Sequence, residues 1–496
     1  MKKVKANILV SIIYQFVTML CGFVLPRLIL EKFGSEVNGL TQSISQFLGI
    51  ISFLDMGLGQ VVRSALYKPL ADGDHQQISC IMVSGGNFYR KIAYALLGYV
   101  AVLIFLYPLF VEQSFGWHFI ASLILVIAIS TFVQYYFGII NEQLLHASQK
   151  SYLIYGTQIV CNLVNLVVCV WMIQLDCSIH AVKLAASLVF LIKPLFYGFY
   201  IRKHYSLDRK IRYDQEPISQ KWNGIAQHIS AVVLSGTDNI VLTLFSTLSN
   251  VSVYSVYYMI IGSIQNFYQS AAVSIQSAAG AVWAKQDDKR IQSMFTVVEY
   301  GLHAVTVFLF CCTGVLIVPF VQVYTNGLTD ATYIQPLFAA VLVLAYGIRC
   351  LRTPYNIWIL AAGHFKQTQR CHITAAALNL IISVIVVSRW GLIGVAVGTL
   401  IAMCYQTTWM AVYTTRHLVK SSAGHLLKQC FVDITTLALI CVTTSWIELQ
   451  QVSYFGWFVM AIKVALIALS CIAATSFVFY RKYTVQLIRK LLHRKV

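Results

Sequence analysis

The chain has 496 residues, of which 58% are hydrophobic and 11% are charged, and its formal net charge is +18. A soluble protein of this length cannot bury so much apolar surface, so the composition excludes a soluble globular protein and indicates a membrane protein. A helical crossing needs roughly 20 apolar residues, and unpaired backbone groups are costly in lipid. The sequence therefore predicts an all-α integral membrane protein with about 14 transmembrane helices.

Hydropathy places these predicted helices in three groups along the chain. The first six helices are Ile8–Leu30, Leu40–Leu66, Ile81–Phe110, Trp117–Leu144, Tyr152–Leu175 and Ile179–Tyr200. The next six are Gly224–Phe245, Val253–Trp283, Met294–Phe320, Tyr333–Ala362, Cys371–Val387 and Leu392–Tyr413. The last two are Cys430–Ile447 and Tyr454–Tyr480, and a basic tail follows them.

Lysine and arginine are distributed unequally between alternate loops. The N-terminus, the even-numbered loops and the tail carry most of them, whereas the odd-numbered loops carry only Lys32 and Arg389. Positive residues favour the cytoplasmic side, so we predict that both termini are cytoplasmic. The net positive charge then reflects this topology and an attraction to anionic membrane lipids, and it does not indicate a nucleic-acid partner.

Two parts of the chain resemble each other in the same order. FGSEVNGL from Phe33 matches FSTLSNVS from Phe245, and KPLADGDHQQI from Lys68 matches GAVWAKQDDKRI from Gly280. The repeat unit contains an even number of helices, so both copies have the same predicted orientation across the membrane. We predict a six-helix lobe at 1–200, a basic cytoplasmic linker at 201–222, a second six-helix lobe at 223–414, and two additional helices with a tail at 415–496.

The sequence has no pattern of metal binding or nucleotide hydrolysis. It contains no CxxC pair, no HExxH and no Walker A motif, so neither a metal nor a cofactor is predicted. The longest predicted outer loop, near Val321–Thr332, has an ordinary connection length of about a dozen residues. A membrane-bound glycan polymerase or ligase needs larger outer loops for its catalytic groups, so we predict that the protein is not an enzyme.

Polar side chains inside the predicted helices indicate a water-filled cavity between the lobes. Arg63, Arg349 and Arg352 suit an anionic diphosphate, because a guanidinium group binds such oxygens in pairs. Amide and basic residues also recur at helical spacing along the second helix and predict a polar face there: Gln42, Gln46, Gln60 and Arg63. Two alternatives stay open, in which Arg63 reaches the inner headgroups and the other two arginines lie in a loop after a shorter tenth helix.

Five further ionisable residues are candidates for gating or for coupling to H⁺ or Na⁺: Arg27, Asp55, Asp238, Glu299 and His303. The repeat places Asp238 at the depth of Arg27 in the opposite lobe, so we expect the two to approach when the outer mouth closes. The alternatives are a partner within its own lobe or a proton-coupling role. Glu299 and His303 are four residues apart, so they share a helix face and are expected to pair. The pair either receives a coupling proton at His303 or is a satisfied polar pair near the cytoplasmic interface.

Several stretches resemble oligosaccharide flippases of the multidrug/oligosaccharidyl-lipid/polysaccharide (MOP) exporter superfamily. They are RLILEKFGSEVNGL from Arg27, LDMGLGQVVRSALYKPLADGD from Leu54, TDNIVLTLF from Thr237, AAGHFKQTQ near Ala362 and GLIGVAVGTLI from Gly391. The resemblance implies alternating access and transfer of undecaprenyl-diphosphate-linked oligosaccharide units across the bacterial cytoplasmic membrane, for O-antigen, capsule or exopolysaccharide synthesis. Its implied partners are that lipid-linked substrate, membrane lipids and other polysaccharide assembly proteins. The alternatives are an ion-coupled multidrug exporter and a peptidoglycan-precursor flippase of the same superfamily.

Overall fold

A computed structural model of the chain describes residues 2–51, 56–111, 115–209, 211–213, 216–218, 236–283, 287–421 and 423–481. Within these residues the regular secondary structure is helical, with no strands. Ten helical stretches of the described residues are long and apolar enough to cross a membrane. The chain is therefore an all-α, multi-pass integral membrane protein, which confirms the predicted fold class.

Two of these ten stretches are each a pair of helices joined at a glycine. Lys2–Gly49 is interrupted at Gly34, with φ 83° and ψ 172°, and Phe365–Tyr413 is interrupted at Gly391, with φ 51° and ψ −124°. Only glycine adopts such a positive φ at little cost, so each residue changes the chain direction within a single position. The loops of several residues predicted at both places are wrong for this reason.

The described residues form fourteen helices, labelled in chain order, when the two segments on either side of the undescribed residues 52–55 are counted together as α2. They begin with α1 (2–33), α2 (35–49 and Met56–Asp72), α3 (His75–Phe110), α4 (Trp117–Ala147), α5 (Ser151–Gln174) and α6 (Ile179–His204). They continue with α7 (236–245), α8 (Leu248–Trp283), α9 (Asp288–Tyr324), α10 (Pro336–Ala361), α11 (365–390) and α12 (392–419). The last two are α13 (Ala423–Thr444) and α14 (Tyr454–Phe479). This number agrees with the count of about 14 that hydropathy predicts.

Packing divides the chain into two compact units, Met1–Ser252 and Val253–Val496. The core of the first unit combines apolar residues of α2, α3 and α4, such as the fully buried Leu58, Leu96 and Ile124. In the second unit, apolar residues of α9, α13 and α14 pack together, and Ile440 and Ala468 are fully buried there. The two helices beyond the sequence repeat are therefore packed on α9.

The boundary between the two packed units differs from the predicted boundary between the lobes. The described helix α7 and the first residues of α8 pack with the first unit, whereas the repeat assigns them to the second lobe. Residues 219–235, which include the end of the predicted linker, lie outside the described residues. The packed units are defined by contacts in one conformation, whereas the lobes are predicted from similarity within the sequence. The division into lobes therefore stays a prediction.

An exposed ion pair joins α1 to the loop after α5. The Lys32 ammonium group donates to the carboxylate of Asp176, and this hydrogen bond holds the pKa of that carboxyl below its ordinary value. The Asp176 side chain is 77% exposed. Exposed ion pairs contribute little to stability, so Asp176 is a useful control position for charge removal.

Candidate functional site

Arg349 and Arg352 lie on α10, which is helical on both sides of a turn at Arg352. Pro354 stands in the first turn of the second segment, where its missing amide proton explains the interruption of the hydrogen-bond ladder. Hydropathy alone is compatible with a loop at Arg349 and Arg352, whereas the internal sequence repeat predicts a helix there. The helix is present, so both arginines belong to an apolar membrane-crossing segment.

Neither of these two guanidinium groups is fully satisfied within the described part of the chain. Both side chains are half-buried, and the Nη1 atom of each is buried without a hydrogen-bond partner there. The guanidinium carbon of Arg349 lies 5.7 Å from the centre of the Tyr346 ring, and no ion pair of the described residues includes either arginine. Orphaned buried donors are costly, so this arrangement favours an anionic ligand.

The described part of α2 contains Arg63 but not all of the polar face predicted around it. Arg63 is half-buried, and its Nε donates to the carbonyl oxygen of Gly59 at 3.3 Å. The side chain of Gln60 and the whole of Asp55 lie outside the described residues. A diphosphate contact at Arg63 therefore stays a prediction.

The other two amide residues predicted to line a cavity lie near the start of α2. Gln42 and Gln46 are both half-buried. The amide nitrogen of Gln46 lies 2.6 Å from the point that a Cβ on Gly236 would occupy, so Gln46 faces α7. The proximity of Gln46 to α7 supports a role at the contact between these helices, and its role in substrate binding stays a prediction.

Arg27 and Asp238, the predicted gate pair, are both part of the first unit. Asp238 is 3% exposed and lies in α7. Arg27 lies in α1, where its Nε is 3.9 Å from the carboxylate of Glu31, one turn further along. The direct approach of Arg27 to Asp238 stays a prediction.

Buried polar side chains join α2 to α7 and α8. Ser43 Oγ and Thr243 Oγ1 are 2.7 Å apart, and Asn38 Nδ2 donates to Ser252 Oγ at 2.8 Å. The phenol of Tyr107 on α3 donates to Ser43 Oγ at 2.7 Å. All five side chains are buried, so these bonds are shielded from competing water. Asn38, Ser43, Thr243 and Ser252 form what we call the α2 polar contact.

Gly39 allows the backbones of α2 and α8 to approach closely at this contact. A Cβ added to Gly39 would lie 1.9 Å from the carbonyl oxygen of Leu248, which is backbone and cannot rotate away. A Cβ on Gly236 would instead meet the amide of Gln46, the flexible end of a side chain. Gly39 is therefore the residue on which the close approach of α2 to α8 depends.

A second group of ionisable side chains lies inside the second unit. Glu299 and His303, one turn apart on α9, are 0% and 3% exposed. The phenol of Tyr355 donates to Glu299 Oε1 at 2.7 Å, and His303 Nδ1 lies 2.6 Å from Asp433 Oδ2 on α13. The sequence predicts a direct pair between Glu299 and His303, whereas in the fold each has a hydrogen-bond partner from another segment.

α13 supplies three polar residues to this region at four-residue spacing. His425 Nδ1 lies 3.2 Å from Glu299 Oε2, which is an ion-pair distance without the angle of a hydrogen bond. Gln429 Nε2 donates to Asp433 Oδ1 at 3.0 Å, and Gln429 Oε1 accepts from the phenol of Tyr480 at 2.5 Å. The ionisable members form what we call the α9–α13 cluster: Glu299, His303, Tyr355, His425 and Asp433.

An apolar cavity of about 660 Å³ lies between α9, α10 and α13. This volume is within the range of roughly 300–1,000 Å³ that is usual for ligand pockets. Leu344 and Ile434 line it and are 44% and 65% exposed, so the cavity opens at the surface. Thr306 and Asp433 also line it, and Asp433 therefore connects the cavity to the α9–α13 cluster.

Sequence reasoning identified Glu299 and His303 but missed their partners. The predicted helix began at Cys430, which left His425 outside the membrane, whereas α13 begins at Ala423. The polar residues at four-residue spacing in an otherwise apolar segment were the available signal. Tyr355 gave no signal of its own, because a single phenol in an apolar helix is ordinary core composition.

The sequence matches no known protein-family model and no curated protein. Among solved structures, the fold is similar to the lipid II flippase MurJ in an inward closed conformation, with a TM-score of 0.72 and 16% identity over 96% of this chain and 100% of that chain. It is also similar to an inward-facing MATE-family multidrug resistance transporter of the MOP superfamily, with a TM-score of 0.64 and 12% identity over 82% of this chain and 96% of that chain.

A third similar structure is a MOP superfamily transporter from Pyrococcus furiosus, described as having a binding pocket of reverse polarity. Its TM-score is 0.61, with 12% identity over 85% of this chain and 97% of that chain. Identities this low establish the fold and leave the cargo open. The chain therefore has the fold of MOP superfamily transporters.

Proposed function

We propose that the protein is a flippase that carries undecaprenyl-diphosphate-linked oligosaccharides across the bacterial cytoplasmic membrane by alternating access, for surface polysaccharide synthesis. The observation that carries this proposal is the pair of half-buried arginines on α10, Arg349 and Arg352, each with a buried Nη1 that has no hydrogen-bond partner in the described part of the chain. A diphosphate supplies several anionic oxygens, which two neighbouring guanidinium groups can bind at once. A positively charged multidrug substrate would be repelled by the same groups.

The apolar cavity supports a cargo that has a lipid tail. Gly347, Ile348 and Leu351 line the cavity and belong to the same helix as Arg349 and Arg352. A tail in the cavity would therefore accompany a headgroup held near the arginines. Because lipid tails are as apolar as the cavity wall, the cavity does not bind by hydrophobic driving force. Its role in this proposal is to keep the tail in apolar surroundings while the headgroup crosses.

The α2 polar contact supports alternating access. The repeat predicts that α7 and α8 belong to the second lobe, so a contact between them and α2 would join the lobes at their predicted outer ends. None of the four side chains is charged, so closing the mouth does not require the desolvation of a charged group. Hydrogen bonds between uncharged groups, together with the close helix packing at Gly39, can therefore form and break reversibly.

A peptidoglycan-precursor flippase is the second candidate, since a lipid II flippase has a similar fold over nearly the whole chain. Its cargo shares the polyprenyl diphosphate and differs in the attached saccharide and peptide. The diphosphate site on α10 and the apolar cavity fit both cargoes. The two candidates differ in which lipid-linked compound, the undecaprenyl-diphosphate oligosaccharide or lipid II, protects the site.

Substrate is expected to protect thiols placed at the two arginine positions. In a background that lacks the 13 native cysteines, Arg349→Cys or Arg352→Cys should react with a small charged thiol reagent, because the cargo path is water-filled in one conformation. Undecaprenyl-diphosphate oligosaccharide should slow this reaction, because its headgroup would cover the site. Protection by lipid II alone would support the second candidate.

The control position is Arg290, whose side chain is 69% exposed beside Asp287. Arg290→Cys should react at the same rate with and without either lipid-linked compound. Protection by a lipophilic cation, with none by the diphosphate compounds, would contradict the proposed function and favour a multidrug exporter. Protection at Arg290 as well would mean that the lipid acts on the reagent or the membrane.

A further inference from the structure

The α9–α13 cluster gathers two carboxylates and two imidazoles in a buried setting. Glu299 and His303 are almost completely buried, whereas the side chains of Asp433 and His425 are 12% and 24% exposed. With both imidazoles neutral and both carboxylates ionised the cluster carries two negative charges, and with both imidazoles protonated it is neutral. Buried charge is costly unless it is compensated, so the number of bound protons controls the electrostatic energy of this region.

The cluster contains one hydrogen-bonded acid–imidazole pair and one pair at ion-pair distance. His303 Nδ1 and Asp433 Oδ2 are 2.6 Å apart, and His425 Nδ1 and Glu299 Oε2 are 3.2 Å apart. Each imidazole therefore faces one carboxylate. Among the described residues, no three His, Cys, Asp or Glu side chains converge as metal ligands would. The geometry fits a proton better than a metal ion.

Other titratable groups surround the two acid–imidazole pairs. On α9, α10 and α13 and after α14 they are phenols, thiols and one amine: Tyr300, Tyr355, Lys428, Cys430, Cys441 and Tyr480. The end of α12, which also packs on α9, carries the exposed Arg416 and His417. The Lys428 ammonium group donates to the carbonyl oxygen of Phe479. Imidazole is the side chain that exchanges protons between roughly pH 5 and 8, so the two histidines of these pairs are the responsive groups within the cluster.

α13 contributes one side chain to each of the two acid–imidazole pairs. His425 on α13 pairs with Glu299 on α9, and Asp433 on α13 pairs with His303 on α9. Asp433 also lines the apolar cavity between α9, α10 and α13. When the imidazoles are protonated, each pair is a charge-assisted contact that holds α13 on α9. When they are neutral, Glu299 and Asp433 repel each other across the same interface.

We propose that the α9–α13 cluster is a proton-binding site that controls the position of α13 on α9 and thereby the width of the apolar cavity. Its use as a coupling site in transport rests on the proposed function, whereas the proton site itself does not. Protonation closes α13 onto α9, and deprotonation loosens it. α13, the first helix beyond the sequence repeat, thus provides the proton-responsive element.

The test combines a proton readout and a distance readout on the full chain in lipid nanodiscs without substrate. Infrared difference spectra between about pH 5.5 and about pH 8.5 should show imidazole bands. Spin labels at two exposed positions outside the cavity lining, Val305 on α9 and Val442 on α13, should move apart by about 2 Å at the higher pH, the usual size of a helix shift.

The matched variants are His303→Gln, His425→Gln and, as a control carboxylate at the surface, Asp176→Asn. Either histidine variant should lose part of the imidazole signal and shorten the pH-dependent displacement, while Asp176→Asn should change neither. His425 is the less buried of the two, so His425→Gln serves if His303→Gln does not fold.

An imidazole signal that persists unchanged in both histidine variants would overturn the proton site. A distance that does not respond to pH would overturn its control of α13. Because no transport substrate is used, either failure leaves the flippase proposal standing, and a failed flipping assay leaves the proton site standing.

Discussion

Gly39→Ala is expected to reduce transport strongly while the protein still inserts in the membrane. The new Cβ would lie 1.9 Å from the Leu248 carbonyl oxygen, so α2 and α8 must separate. Overpacking of this kind costs about 1–3 kcal/mol. A change of that size shifts a conformational equilibrium by a factor of roughly 5 to 150. The conformation that contains the α2 polar contact should be depleted to that extent, and transport rates measured at matched protein levels should fall with it.

Two other glycines provide the controls for this substitution. Gly98 in α3 has no atom within 4 Å of an added Cβ, so Gly98→Ala should leave transport unchanged. Gly236→Ala should have an intermediate effect, because the Gln46 side chain can rotate away. Equal transport by Gly39→Ala and Gly98→Ala would mean that the α2 polar contact is not needed in the cycle.

The double variant Arg349→Ala, Arg352→Ala is expected to lose nearly all transport. Hydrogen bonds to charged groups contribute about 1.5–3 kcal/mol each, and each 1.4 kcal/mol corresponds to about a tenfold change in binding. Each single variant should therefore lose at least about tenfold. Lysine at either position should restore only part of the activity, since a point charge cannot bind two oxygens in a fork.

Thermal stability separates this loss of function from a loss of fold. Both arginines are half-buried, and the Nη1 of each is buried without a hydrogen-bond partner among the described residues, so removing the side chains takes away a desolvation cost. The double variant should melt no lower than the wild-type protein. Arg290→Ala, at an exposed position, should leave both transport and melting unchanged. Full transport by the double variant would remove the diphosphate site from α10.

The sequence predicted the class and number of helices because each crossing is encoded locally. The sequence also predicted the length of α10. Hydropathy left the end of this helix ambiguous, and the internal repeat extended it past Arg349 and Arg352. The turns at Gly34 and Gly391 were not predicted, because hydropathy does not distinguish a short loop from a single residue with positive φ. A glycine in the sequence does not by itself indicate such a turn, because its backbone conformation is known only from the structure.

The partners of the predicted site residues could not be predicted from local spacing. Glu299 and His303 share a face of α9, and that much follows from the helical period. The residues they contact, Asp433 and His425, come from a helix beyond the repeat, more than a hundred positions later in the chain. The α2 polar contact was missed in the same way, because Ser43 and Thr243 are unremarkable until α7 is packed on α2.

Reconstitution of the purified protein in liposomes tests the proposed function most directly. A labelled undecaprenyl-diphosphate oligosaccharide is placed in one leaflet, and its appearance in the other is followed with an impermeant quencher or lectin. The account predicts transfer that the wild-type protein catalyses and that Arg352→Ala reduces at least about tenfold, since one charge-assisted contact is lost. The account would be contradicted if the protein moved a lipophilic cation in the same liposomes but transferred neither this lipid nor lipid II.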